Sequence, residues 1–317
     1  MAVALALAPP LRAQTTDVPE EPADTSLVEG VDYRAYDRWG NTVSLPSVVQ
    51  AVAADEVLLV GEEHDDMVGH RLEARLLDAL ADELSRPATG RTLVVSLEMF
   101  ERDVQYILDE YLAGLISEDH FLRSSRPWDH YGSRYRPLVE AARLRGLPVV
   151  AANAPRRYVS RVTEHGPESL MELSDEGRRF LPPLPYPGPS TLYREQWDAI
   201  MAEAMAGYEG EEGRGYSVNP NAIQSQALWD ASMGHAVTQA LVEHLNGFVV
   251  HFAGSFHVER GTGIPERIQD YRPGTRVSTV VMTKVDDVEA WSPDDHGPLG
   301  DFVILTLRPS SGPSAGR

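Results

Sequence analysis

At four places in the chain an apolar run breaks abruptly into acidic, amide and imidazole side chains. Glu56 to Val60 leads into Gly61-Glu62-Glu63-His64, Thr92 to Leu97 into Glu98, Leu147 to Ala152 into Asn153 and Arg156, and Gly247 to Ala253 into Gly254-Ser255-Phe256-His257. Each residue has a plain structural use when taken singly: Glu62 or Asp65 can cap a helix, Asn153 can close a turn, and a lone histidine can sit in a core or on a surface. Four such breaks at corresponding positions point to one shared crevice, with Glu62, His64, Glu98, Asn153, Arg156 and His257 as its working residues. Two chemistries fit them. One is a metal site in which His64, His257 and either Glu98 or Glu62 serve as nitrogen and oxygen ligands and leave a position open for water. The other is metal-free acid–base work, in which a carboxylate orients a histidine that takes a proton from water or an alcohol. No compact ligand motif such as HExxH selects between them.

Parallel β-strands deliver their C-terminal ends to one edge of a sheet, so residues just past different strands become spatial neighbours. The four apolar runs have the length and continuity of strands covered on both faces. Arg276 to Met282 and Asp301 to Leu307 supply two more, and Tyr33 to Asp37 with the Trp39-Gly40-Asn41 turn reads as a small strand or hairpin before a short helix over 45–53. Between the runs lie helical stripes: Leu72, Leu76, Leu77 and Leu80 behind the caps Asp65 and Asp66, then Val104, Ile107, Leu108 and Tyr111, then a helix over 131–145 entered through Trp128. Strands alternating with helices predict an α/β fold, a mostly parallel sheet flanked by helices. From about Glu168 to Asn246 no strand pattern occurs. Five prolines fall between Pro182 and Pro189, Gly207 to Gly215 is acidic and glycine-rich, and a long helix carries Trp229, Asp230, Met233 and His235, of which His235 reads as a helix-face residue and Asp230 as within reach of the crevice. The expected organisation is a tail over 1–25, an α/β domain over 26–165 and 247–308, a smaller all-helical inserted lobe over 166–246, and a tail over 309–317.

Acidic residues outnumber basic ones 48 to 28, for a net charge of −20 in 317 residues. Such a surface repels the phosphate backbone, so no nucleic-acid partner is expected. No cysteine is present, which removes disulfides, thiolate sites and a lipid-anchored lipobox. Lys284 is the sole lysine, so almost every fixed positive charge is an arginine, suited to holding carboxylates in a bidentate fork. Met1 to Ala8 is a short apolar run, Leu11-Arg12-Ala13 resembles a cleavage site, and a polar stretch follows, as in an exported protein, periplasmic or secreted. No other run approaches the roughly 20 apolar residues of a membrane span. Tyr186, Tyr193, Trp197, Tyr208 and Tyr216 gather in the helical region, where aromatic faces and arginines would suit a flat apolar ligand bearing carboxylates.

Val57 to His64 (VLLVGEEH), Val95 to Gln105 (VSLEMFERDVQ), Trp128 to Pro137 (WDHYGSRYRP), Val149 to Pro155 (VVAANAP), Gln226 to Met233 (QALWDASM) and Ala253 to Pro265 (AGSFHVERGTGIP) occur in that order. As an ordered set, these segments resemble the ChaN-like haem-binding proteins of the superfamily that includes Tiki-type metalloproteases and erythromycin esterases. The resemblance implies an α/β domain with a smaller helical domain, export, and haem held between two protomers for haem or iron uptake. It also implies iron ligation by a tyrosine, for which Tyr186, Tyr193, Tyr208 and Tyr216 are candidates by location, a phenolate being a natural ligand of ferric haem. Propionate contacts in the family come from histidine and lysine; with one lysine here, arginine or histidine would take that role. A hydrolase, esterase or peptidase, working in the same crevice with or without a divalent metal, is the competing expectation.

Overall fold

In the computed structural model, residues 27–206 and 219–309 are described. The apolar start and polar tail over 1–25, the Gly207 to Gly215 loop, and residues from 310 onward lie outside them, as do Tyr208 and Tyr216.

A small antiparallel pair, β1 (Tyr33–Asp37) and β2 (Thr42–Val43), precedes α1 (Leu45–Val52), whose start is capped by the Ser44 hydroxyl. The first buried strand, β3 (Val57–Glu62), leads into α2 (Met67–Leu84), where Asp66 accepts from the Val68 amide. Then come β4 (Thr92–Glu101), α3 (Gln105–Leu112), α4 (Glu118–Ser125), α5 (Tyr131–Arg134) and α6 (Arg136–Arg145). The single helix expected over 131–145 is thus two: Pro137 lacks an amide hydrogen and sits in the first turn of α6, so the ladder restarts at Tyr135. After β5 (Val149–Asn153) follow α7 (Arg156–His165), α8 (Asp175–Arg178), α9 (Thr191–Ala206) and α10 (Ala222–Glu243). The chain closes with β6 (Gly247–Gly254), α11 (Ile264–Tyr271), β7 (Val277–Val285) and β8 (Phe302–Leu307).

These strands form one sheet in the order β2-β1-β8-β7-β3-β6-β4-β5. From β8 to β5 every pairing is parallel, while β1 runs antiparallel to both β8 and β2. Period-two alternation splits each central strand between two cores. Leu58, Val60, Val95, Leu97, Val250 and Phe252 face α1 to α6, whereas Val57, Leu59, Val94, Val249 and Ala253 face α10 and α11. Covering both faces explains why the runs are apolar at nearly every position, the buried Ser96 and His251 satisfying each other at 2.8 Å, and burial of each large apolar side chain contributes about 1.5–3 kcal/mol.

The region over 166–206 is helical or turn-like, as the sequence suggests, with a core of Val159, Val162, Leu170, Leu181 and Tyr186 against the first half of α10. The second half of α10 does not stand apart as a lobe: Met233, Ala236, Val237, Ala240 and Leu241 pack onto the sheet itself. One long helix therefore belongs to both bodies and ties them together.

Candidate functional site

Register brings the strand ends together. In the β3–β6 pairing Glu62 lies opposite Gly254, and β4 runs beside β6 as far as Leu97 opposite Phe252. Between Leu97 and Glu101 the register of β4 against β5 shifts, and the irregularity contains Glu98. Its buried carboxylate accepts the amide N–H of Gly254 at 2.7 Å through Oε2. Two glycines make the close approach workable. A side chain at Gly61 would lie 3.0 Å from the Ser255 Cα, blocking the turn that carries His257, and one at Gly254 would lie 3.1 Å from His64 Nε2.

Two histidine–carboxylate pairs flank Glu98. His64 Nδ1 donates to Glu62 Oε1 at 2.7 Å, and His257 Nδ1 to Asp230 Oδ1, also at 2.7 Å. His257 Nε2 stands 3.8 Å from Glu98 Oε1. In each pair the carboxylate fixes the Nδ1 proton and leaves Nε2 for chemistry. The settings differ. The His64 side chain keeps 49% of its surface open and meets Trp128 edge-on at 5.1 Å, whereas His257 is buried. The hydrogen bond that His64 donates to Glu62 raises the His64 pKa against the opposing effect of burial, and the charges of Glu62 and Glu98 add to the rise. For His257, burial alone would lower the value; the charges of Asp230 and Glu98 outweigh it and push it up to about 9. At neutral pH His257 is an imidazolium between two carboxylates.

Behind His64 lies a further layer. Glu62 Oε1 also accepts the Tyr135 hydroxyl at 3.1 Å, and Oε2 stands 3.3 Å from His70 Nδ1, which lies 3.1 Å from Glu73 Oε2. His70 Nε2 donates to the His64 carbonyl at 3.0 Å, so the same ring also fixes the loop that carries His64. Burial opposes ionisation of Glu62, but hydrogen bonds from His64 and His70 hold it well below the usual carboxylate range. Glu73 is pushed far above that range by burial and then by the Glu62 charge.

The expected residues Glu62, His64, Glu98 and His257 therefore meet, with the His64 pKa responding to the charges of both Glu98 and His257. Asn153 sits buried at the end of β5 and Arg156 is exposed on the first turn of α7; among the described residues the Asn153 Oδ1 has no hydrogen-bond partner and Arg156 no carboxylate partner. Neither hydrogen-bonds to the two pairs. Among the described residues, the donor atoms that all lie within 4.8 Å of one another are those of Glu62, His70 and Glu73, a group that differs from the expected metal set of His64, Glu98 and His257. Tyr186 and Tyr193 lie in the interior. Tyr186 donates to the Gln224 carbonyl at 2.9 Å, and Tyr193 is 2% exposed against Phe256. Burial raises both phenols, which disfavours the phenolate an iron ligand requires. Asp230, which the QALWDASM segment carries, and His70, Glu73 and Tyr135 complete the site from helices; the charged pair on the apolar face of α2 was the available signal. A separate groove of about 610 Å³ along β5, lined by Arg102, Gln105 and Phe180, shares none of these residues.

Sheet order and strand-end site define a doubly wound α/β protein with its polar groups at the carboxyl edge. Residues 48–268 match the family described as haem-binding uptake, Tiki superfamily, ChaN, and the chain belongs to that family. Among solved structures, the ChaN of Campylobacter jejuni, described with cofacial haem binding, is 19% identical with a TM-score of 0.64 over 89% of this chain and 99% of that one. A Bacillus cereus protein gives 12% identity and 0.46 over 84% and 92%, and an erythromycin esterase in its open conformation gives 11% and 0.43 over 86% and 82%. No curated protein matches the chain in sequence.

Proposed function

We propose that the protein binds haem at the rim of this crevice and serves haem or iron uptake outside the cytoplasm, two copies sharing the ligand. The observation that carries the reading is His64: a half-exposed imidazole held by a buried carboxylate through Nδ1, with Nε2 lying over a glycine where any side chain would crowd it. A carboxylate-oriented imidazole with a clear Nε2 is a suitable donor to iron. Bound haem would supply a ferric centre open to axial ligation. Trp128 backs the imidazole edge-on, and Arg134 and Arg156, neither paired with a carboxylate among the described residues, are available for propionates. Lys284 is not, because its ammonium already holds Asp65 at 2.5 Å and Glu63 at 3.3 Å.

Titrating the purified protein with hemin is expected to give a saturable Soret shift that His64→Ala abolishes or moves. A spectrum that stays that of free hemin defeats the reading. An unchanged shift in His64→Ala transfers the ligand role elsewhere, and Tyr208→Phe and Tyr216→Phe then report the remaining expected tyrosines. Gel filtration with and without hemin tests the shared ligand, and cell fractionation tests the location.

A hydrolytic reading is favoured by one specific observation, the convergence of two oriented imidazoles on a buried carboxylate. His257, protonated at neutral pH, is placed to donate a proton, while His64 with Glu62 is placed to withdraw one from water. Turnover of an ester or peptide that His257→Ala and His64→Ala both abolish supports it. Inactivity of the wild type over a broad panel of esters and peptides counts against it.

A further inference from the structure

The Glu62, His70 and Glu73 cluster lies one layer behind the crevice and does not depend on the haem reading. Its three donor atoms lie within 4.8 Å of one another, and all three residues are at most 2% exposed. His70 Nε2 faces the His64 carbonyl, which can only accept, so that nitrogen carries a hydrogen. Nδ1 therefore turns toward Glu62 Oε2 at 3.3 Å and Glu73 Oε2 at 3.1 Å. Glu62 Oε2, whose nearest polar approach is the longer 3.3 Å from His70 Nδ1, and Glu73 Oε1 are fully enclosed and accept no well-formed hydrogen bond among the described residues. Two carboxylates thus share the interior with one imidazole, whose pKa burial alone would lower but their hydrogen bonds and charges push up to about 10, and among the described residues no arginine or lysine forms an ion pair with either. One imidazolium leaves a net negative charge on the two carboxylates, which a divalent ion taking the place of the Nδ1 proton would cancel.

We propose that these three residues form a structural site for a first-row divalent metal ion such as Zn2+ or Mn2+. Donor separations of 3.1 and 3.3 Å match what bonds of about 2.0–2.2 Å to nitrogen and oxygen require at tetrahedral to octahedral angles. Glu73 can present both oxygens, which supplies a fourth donor. One imidazole with carboxylate oxygens suits zinc or manganese better than calcium or magnesium. The ion satisfies both orphan oxygens at once and keeps Glu62 ionised, so Oε1 goes on fixing the Nδ1 proton of His64.

The test uses the full chain, with metal content measured by elemental analysis and thermal unfolding followed with and without added Zn2+ or Mn2+. One ion per chain is expected, with a Tm at least about 5 °C higher in the metal-loaded form. Glu73→Gln, which keeps size and removes charge, is expected to lose both the ion and the Tm response. His257→Ala, which disrupts the crevice but not this cluster, is expected to keep them. Cobalt substitution adds a visible spectrum that Glu73→Gln should abolish. Should Glu73→Gln fail to fold, His70→Gln is read in the same way beside the wild-type Tm response. A wild type that takes up no ion overturns the proposal and leaves a proton on Glu73 as the compensating charge. Retention of the ion in Glu73→Gln, or its loss in His257→Ala, overturns it by assigning the ion to the crevice. Metal content and the Tm response are read without hemin, so a failure here leaves the wild-type hemin titration to be decided by its own spectrum.

Discussion

Asp230→Asn removes one negative charge from beside a buried imidazole while keeping the size of the side chain. In the wild type the charges of Asp230 and Glu98 move His257 from an ordinary 6.5 to about 9 against the effect of burial. That is roughly a 300-fold gain in proton affinity, or about 3.4 kcal/mol. Since the folded value lies above the unfolded one, this contribution is fully present below pH 6.5 and fades as the pH climbs through about 9. In the variant Glu98 stands alone against burial, so His257 returns to or below its ordinary value and the contribution is lost at every pH. Urea unfolding with linear extrapolation should therefore show a stability gap between wild type and variant that narrows by about 3 kcal/mol from about pH 6 to about pH 9.5. Comparing the gap, and not the wild type alone, cancels the other groups that titrate in this window. A gap constant within about 0.5 kcal/mol would show that Asp230 does not hold a proton on His257. The description of a paired acid in the crevice would then be wrong.

Gly254→Ala should leave the fold intact, because the backbone there, φ −57° and ψ 142°, suits any residue. Its methyl would nevertheless lie 3.0 Å from His64 Cε1, so hemin affinity should fall at least about 10-fold with unfolding stability changed by less than about 1 kcal/mol. Equal affinity in the two proteins would remove His64 Nε2 from the ligand site. At the sheet's outer strand, the Gln105 amide donates to the Val149 carbonyl at 2.8 Å and accepts from the Ala151 amide at 2.7 Å, closing an otherwise open edge. Gln105→Ala should cost about 1–3 kcal/mol in urea unfolding and promote concentration-dependent association seen by light scattering. A variant as stable and as monodisperse as the wild type would show that water closes the edge equally well.

The central strands were legible because each is covered on both faces. Val57 to Val60 has no polar position to confuse the pattern, and in Phe248 to Ala253 the sole interruption is His251, buried against Ser96, so in both runs the apolar stretch gives way at the strand end. Parallel direction then placed Glu62, Glu98 and His257 together without any knowledge of side-chain geometry. Of the partners that come from helices, the sequence offered Asp230, which reaches His257 from the middle of α10, and hid His70, Glu73 and Tyr135, which reach Glu62 from α2 and the start of α6. A helix position fixes which face a residue shares, but its contact with a strand depends on how the crossover lays that helix over the sheet. How α10 divides between two cores was illegible for a related reason: it is apolar on more than one side, and periodicity alone cannot say which half touches which.

The two histidine–carboxylate pairs also explain why one crevice supports both binding and acid–base readings. Glu62 and Asp230 perform the same operation, fixing a proton on Nδ1, yet they do so at opposite degrees of exposure. Exposure gives His64 an Nε2 that a ligand can reach, and burial gives His257 a charge that water does not screen. Exchanging those environments would yield a hidden ligand and a screened acid, useful for neither purpose. The asymmetry follows from the glycines: Gly61 lets the turn bearing His257 settle onto the end of β3, and Gly254 leaves His64 standing over open backbone at the end of β6.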